Sequence, residues 1–322
     1  MKECMENKVM QEDIESLVNS DLPVQQLEGR TVLVTGATGL IGSQMVYLLA
    51  CYNRMRSLNV RIIAMVRNRE KAKKLFSHLI DRGDVSLFIA DVNETLTLDS
   101  PVDYIIHGAS ATSSKYFVSH PVETIHTAID GTSNILKLAA QKQVKSMIYL
   151  SSLEVYGTPQ PDQEKIREAD YGYIEPLNVR SSYSEGKRMV ECLCASYAKE
   201  YEVPVKIARL SQTFGPGVTY EDGRVFAEFA RCALEQKDIV LHTQGRTARA
   251  GKKGNAISLV EAHDYKLLGK IKRYTEEPLK ARVIEGLEPR TKAPKDGEIK
   301  SVSKKQKARI KDKKAQQKKD AQ

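Results

Sequence analysis

Tyr183 and Lys187 stand four residues apart in a segment where Met189, Val190, Leu193 and Tyr197 recur at helical spacing. They therefore share one face of a helix. A phenol titrates near ~10 and is a poor base at neutral pH unless a neighbouring cation favours the phenolate. Lys187 is placed to be that cation. The hydroxyls of Ser151 and Ser152 end an apolar run that begins at Ser146, and a hydroxyl at a strand's carboxyl end can face a tyrosine on the next helix. Two readings stay open on these residues alone: an acid–base set, or a surface Tyr and Lys on an amphipathic helix.

A second constellation runs from Thr35 to Gly42 as Thr-Gly-Ala-Thr-Gly-Leu-Ile-Gly. The β-branched run Thr31-Val32-Leu33-Val34 precedes it and the apolar segment Leu40 to Tyr52 follows, so the glycines sit between a buried strand and a helix. In that context they suit a dinucleotide: Gly36 for a tight turn, Gly39 for close approach of backbone to pyrophosphate, Gly42 for packing of helix on strand. The helix N-terminus adds free amide N–H groups and partial positive charge. A plain glycine turn is the competing reading.

The elements that must position these groups alternate along the chain. Strands are expected at Val60–Val66, Val85–Ala90, Asp103–His107, Ser146–Ser151 and Val205–Leu210. Helices are expected at Arg69–Ile80, Pro121–Gln141 (Val122, Ile125, Ile129 and Leu136 on one face) and Ser182–Tyr201. Such alternation predicts an α/β fold, a doubly wound parallel sheet whose ligands bind beyond the carboxyl ends of its strands.

Six motifs in order now carry a resemblance. Thr35-Gly36-x-x-Gly39-x-x-Gly42, Asp91-Val92, His107-Gly108-Ala109, Ser152-x-x-Val155-Tyr156-Gly157, Tyr183-x-x-x-Lys187 and Arg209-Leu210 with Gly215-Pro216-Gly217 resemble the extended short-chain dehydrogenase/reductases, over about residues 29–245. That family is Rossmann-like and consists mostly of nucleotide-sugar epimerases, dehydratases and decarboxylases. The resemblance implies bound NAD or NADP, held by Gly36, Thr38, Gly39, Leu40, Ile41, Gly42, Asp91, Val92 and Lys187, with Asp91 on the adenine. It implies that Tyr183 takes a proton from a sugar hydroxyl, that Lys187 holds the nicotinamide ribose and lowers the Tyr183 pKa, and that Ser152 hydrogen-bonds the reacting oxygen. Arg209 would contact the nucleotide-sugar substrate.

Departures tune these expectations. NAD-binding members usually place an acid after the second strand, where this chain has Met65-Val66-Arg67-Asn68; Arg67 could pair a 2′-phosphate instead, which leans toward NADP or relaxed choice. Glu154 follows Ser152 by two, as in family dehydratases and UDP-glucuronate decarboxylases. Many dehydratases place an Asp between them where Leu153 stands, so dehydration is disfavoured and epimerisation and decarboxylation stay open. Ala128 replaces a usual Asn. His107 fits a structural strand-end position, and the other histidines lack metal-ligand spacing, so no metal is expected.

The formal charge is +9, and residues 290–322, with 13 Lys or Arg against 4 Asp or Glu, hold all of it. The body is neutral on balance, which argues against a nucleic-acid-binding body. Five cysteines without disulfide or zinc spacing, a polar N-terminus and no apolar span point to a reduced cytoplasmic setting without a membrane. From Gly245 the family pattern stops. Gly245-Arg246-Thr247-Ala248-Arg249-Ala250-Gly251 and the residues after it resemble the last motif of DEAD-box RNA helicases. No phosphate-binding Gly-Lys loop and no Asp-Glu-Ala-Asp occur, so no ATPase is expected. The expected organisation is an N-terminal extension (1–29), the NAD(P)-binding body (30–244), a helicase-like fragment (245–290) that replaces the truncated substrate lobe, and a basic tail (291–322) disordered in isolation. A nucleotide-sugar enzyme, impaired by truncation, is the first reading. An RNA-associated module using the tail and fragment is the alternative, and homodimerisation through family helices is left open.

Overall fold

The computed structural model describes residues 7–237, apart from 161, 162, 164 and 216. The described residues up to 235 belong to one compact unit. The expectations for residues 245–290 and 291–322 lie outside the described residues.

Helix α1 (Lys8–Val18) opens the chain, capped by the Asn7 side chain accepting from Met10 N at 3.1 Å. It then alternates strand and helix: β1 (Thr31–Thr35), α2 (Leu40–Arg56), β2 (Arg61–Val66), α3 (Arg69–Leu75), α4 (Ser77–Ile80), β3 (Val85–Ile89) and β4 (Tyr104–His107). Two helices, α5 (Ser114–Ser119) and α6 (Pro121–Lys142), lead to β5 (Ser146–Ser152), α7 (Ser181–Glu200), β6 (Val205–Leu210) and α8 (Val225–Leu234). The six strands form one sheet in the order β3-β2-β1-β4-β5-β6, every pair parallel. Strand order reverses between β1 and β4, where Thr35 lies opposite His107, and this opens a crevice at the strands' carboxyl ends.

All five residues of β1 are buried because both faces of the sheet are covered. Val32 and Val34 point to a core with Val46, Ala50, Ile62 and Phe76, while Leu33 points to another with Ile105, Ile135, Met147 and Val190. The N-terminal extension belongs to the first core. Ile14 and Val18 of α1 are buried there, Glu15 pairs with Arg54 of α2, and the Tyr52 hydroxyl donates to the Leu17 carbonyl at 3.4 Å. Burying such a side chain is worth ~1.5–3 kcal/mol.

Two expectations need correction. The helix foreseen over 69–80 breaks at Phe76, whose ring is fully buried edge-on against Tyr47. Of the expected α6 face, Leu136 is buried and Ile129 packs against the core, whereas Val122 and Ile125 are 60% and 40% exposed; Thr124, Ala128, Gly131, Thr132 and Ile135 are buried in addition. Small residues bring α6 close to its neighbours: a Cβ on Gly131 would lie 2.9 Å from Val92 Cγ2, and one on Gly186 of α7 would lie 3.2 Å from Ala128 Cβ. Ala128 thus packs the helix that carries Tyr183.

Candidate active site

The glycine turn closes β1 onto α2. Gly36 has φ +65°, and a Cβ there would stand 2.8 Å from the Gly108 carbonyl group at the end of β4. Gly42 faces the Gly36 carbonyl so closely that a Cβ would approach it to 2.3 Å. Gly39 caps α2 in an extended conformation and donates its N–H to Gly36 O at 2.9 Å. The glycines therefore do the jobs their spacing suggested for Gly36 and Gly42, with β4 as an extra reason for the first. Thr38, Leu40 and Ile41 complete the turn and first helical residues.

A cleft of about 320 Å³ opens beside this turn, lined by Gly36, Met65, Arg67, Val92, Ser110 and Tyr116 among others. A buried polar chain joins the ends of β1 and β4 next to Gly36 and Ala109, which line the cleft. The Thr35 hydroxyl lies 2.7 Å from His107 Nδ1 and accepts from Ala109 N at 3.1 Å, and His107 Nε2 lies 3.0 Å from the Thr132 hydroxyl. Burial, and then the nearby Lys187 charge, take the His107 pKa down to about 3, so the imidazole is a neutral strut. At the rim Arg67, 73% exposed, pairs with Asp91 at 3.7 Å, and Asp91 also accepts from Asn93 N.

Tyr183 sits in the first turn of α7, and the Ser152 hydroxyl at the end of β5 lies close enough to act on its titration, lowering the pKa. Ser152 Oγ also accepts from Glu154 N at 3.2 Å. Lys187, 3% exposed, donates to the Leu150 carbonyl at 2.8 Å and lies over the rings of Tyr149 at 4.6 Å and Tyr183 at 5.7 Å. The structure thus brings Ser152, Tyr183 and Lys187 together. It reverses one expectation: burial pushes the Tyr183 pKa up, outweighing Ser152 and Arg180, while Glu154 adds to the rise. Burial likewise takes Lys187 down to about 8.

Two acids are differently engaged. Glu154 takes both terminal nitrogens of Arg180, at 3.0 and 2.7 Å, and the Ser184 hydroxyl at 2.8 Å. Its oxygens are therefore occupied within the protein. Glu191 of α7 accepts from Ser151 at 2.6 Å and from Arg209 at 2.7–3.2 Å. Arg209, expected at the substrate, also reaches the Glu168 carbonyl and the Tyr171 hydroxyl and lies over the Tyr156 and Tyr171 rings. Its guanidinium is spent inside the fold, joining β6 to α7.

Sequence reasoning passed over Phe117 of α5, which stacks on Tyr183 with ring centroids 4.3 Å apart and planes 10° apart. Its neighbour Tyr116 lines the cleft, so one turn of α5 joins the cleft to the tyrosine. No local signal marks Phe117. Arg180, three residues before Tyr183, was findable as its neighbour on one helical face.

Among the described residues no helix is long and apolar enough to cross a membrane, and no group of His, Cys, Asp or Glu could hold a metal ion. Residues 32–250 match the NAD dependent epimerase/dehydratase family. UDP-glucuronic acid decarboxylase 1 of Xenopus tropicalis is 32% identical over 229 residues, 70% of this chain and 51% of that protein. The chain thus spans about half the length of such a curated relative. A stretch of 75 residues, 23% of this chain, is 81% identical to 17% of the ATP-dependent RNA helicase SrmB of Haemophilus influenzae, which bears out the helicase-like C-terminal part. A solved UDP-N-acetylglucosamine 4-epimerase from Methanobrevibacter ruminantium, in complex with UDP-N-acetylmuramic acid, has the same fold: TM-score 0.56 at 19% identity, covering 68% of this chain and 67% of that one.

Proposed function

We propose, for a chain that belongs to the NAD dependent epimerase/dehydratase family, that Tyr183, Ser152 and Lys187 carry out hydride-linked proton transfer at a nucleotide-sugar hydroxyl. The observation that carries this reading is the buried Lys187 ammonium 5.7 Å from the Tyr183 ring centre, bonded to the Leu150 carbonyl two residues before Ser152. The glycine turn and the cleft beside it lie at the carboxyl ends of β1 and β4, where the strand order reverses, and that is where a doubly wound sheet takes a dinucleotide.

Bound NAD or NADP supplies the hydride acceptor. Tyr183 takes the hydroxyl proton as its phenolate, the form that burial disfavours here, and Ser152 hydrogen-bonds the same oxygen. Such acid–base help is typically worth ~10²–10⁴ in rate. An ammonium has three N–H donors, so Lys187 keeps donors for a ribose hydroxyl beside its bond to Leu150. Gly36, Gly39 and Gly42 offer the turn to pyrophosphate, and Asp91 and Arg67 stand at the adenosine end.

Leu153 has no proton to give a leaving hydroxyl, which argues against dehydration. Likeness to a UDP-glucuronic acid decarboxylase favours decarboxylation over epimerisation. In sequence, the helicase-like part after about residue 245 replaces the stretch with which the family completes its grip on the sugar, so cofactor binding is expected to survive better than turnover. The test uses the full chain: fluorescent cofactor binding, then product analysis with UDP-glucuronic acid and UDP-glucose. Binding that persists in Tyr183→Phe while all turnover disappears supports the reading; unchanged turnover in that variant ends it.

A second reading rests on the basic residues 290–322 and the likeness to an RNA helicase. Phosphate contact by that tail would make RNA affinity fall steeply with salt, which filter binding at two salt concentrations measures.

A further inference from the structure

We infer that Arg180 is a positioning residue for Tyr183, acting through Glu154 and Phe117; this rests on the reading of Tyr183 as the proton-transferring group. Arg180 is the residue before α7, and its fork closes on Glu154 at 3.0 and 2.7 Å. Ser184 donates to that carboxylate at 2.8 Å, so Glu154 ties the chain on both sides of Tyr183. The backbone N–H of the same Glu154 donates to Ser152 Oγ, the hydroxyl that acts on the Tyr183 titration. One residue thereby organises Ser152 and the start of the helix that carries the phenol.

The ring is fixed as well. The Arg180 guanidinium lies 4.9 Å from the Phe117 ring centre, and Phe117, 2% exposed, stacks on Tyr183. The Ser182 hydroxyl donates to the Phe117 carbonyl at 3.5 Å and ties α5 to α7. Arginine suits this place because its planar fork grips a carboxylate with its edge while its face covers an aromatic ring. Lysine could supply charge but neither geometry.

The charges around the phenol are few. Lys187 faces it from its own helix, Tyr149 from β5, Glu154 from the turn after β5, Arg180 from the start of α7, and α5 presents the uncharged Phe117. The Glu154 carboxylate works against phenolate and Arg180 works for it. Paired, they offset each other; Glu154 alone would not be offset.

The test compares Arg180→Gln, Arg180→Lys, Glu154→Gln and the Arg180→Gln/Glu154→Gln double variant, all in the full chain. Tyrosine absorbance is titrated against a matching Tyr183→Phe background to isolate one phenol among 14 tyrosines. Arg180→Gln is expected to move the Tyr183 titration up by about one pH unit, a tenfold loss of phenolate below its pKa. The double variant should bring it back toward the wild type. Turnover, where present, should fall about tenfold in kcat with KM nearly unchanged, and its acid limb should move up. Arg180→Lys should keep the titration yet lose kcat, separating charge from fork. If Arg180→Gln does not fold, Arg180→Lys and Glu154→Gln decide. Titration curves and kcat that match the wild type, with only a lower unfolding midpoint, would leave Arg180 a structural residue and overturn the inference. A wild-type chain with no turnover would instead sink the reading of the reaction, while the titration series still reports on Arg180.

Discussion

Lys187 gives its ammonium to the Leu150 carbonyl at 2.8 Å, from a position 3% exposed in the middle of α7. Burial holds its pKa at about 8, against 10.5 in the open chain. In the window between those values the unfolded chain binds the proton that the folded chain has released, so stability rises with pH there. Relative to Lys187→Met, the wild type should gain about 1.4 kcal/mol per pH unit between pH 8 and 10.5. Urea unfolding of both proteins at the two ends of the window checks the sign. Parallel stabilities would mean that the amine is not desolvated.

His107 makes the opposite end of the pH range informative. Its folded pKa is about 3 and its ordinary one 6.5, so the neutral ring contributes stability in full above pH 6.5 and loses it as pH falls toward 3. A His107→Asn variant should lack that slope and be less stable at pH 7, because the link between Thr35 and Thr132 is shortened. Unfolding midpoints measured at intervals from pH 7 to 4 would show the two curves converging in acid.

Gly42 and Gly83 separate close approach from backbone conformation. A methyl group at Gly42 meets the Gly36 carbonyl oxygen at 2.3 Å, and neither the turn nor α2 can yield without the other moving. Gly42→Ala should cost about 3 kcal/mol, as overpacking does, and weaken cofactor binding with it. Gly83 has φ +80° and open space around it, so Gly83→Ala should cost only about 1–2 kcal/mol and leave cofactor binding untouched. Thermal unfolding and cofactor titration of both variants test the distinction.

How much of this was legible beforehand follows from range along the chain. β1, the glycine turn and α2 are contiguous, and their residue types alone dictate strand, left-handed turn and helix, so that unit read correctly. The inward face of α6 did so only in part, because helical periodicity looks for large apolar residues. Leu136 was read correctly, but Val122 and Ile125 also satisfied the pattern and lie exposed, while Ala128 and Gly131 make the close approaches. Glu191 and Arg209 were unreadable for another reason. Each is an ordinary charged residue in its own segment, and only the pairing of β5 with β6 beneath α7 brings them together. Phe117 reaches Tyr183 the same way, through α5 lying over the start of α7.

Arg209 has two incompatible jobs on offer, and stability decides between them. Family resemblance put it at the substrate, whereas here it is enclosed by Glu191, Tyr156 and Tyr171, with side chains of the ion pair only 14% and 8% exposed. Arg209→Met would leave the Glu191 carboxylate buried with Ser151 as its remaining partner, and breaking a buried pair in this way costs ~3–5 kcal/mol. Replacing both, as Arg209→Met/Glu191→Leu, removes the stranded charge and should recover much of that loss. A substrate contact would behave differently: Arg209→Met would raise KM while the unfolding midpoint stayed put, and the second substitution would rescue nothing. Urea unfolding of the wild type, the single variant and the double variant is enough to choose.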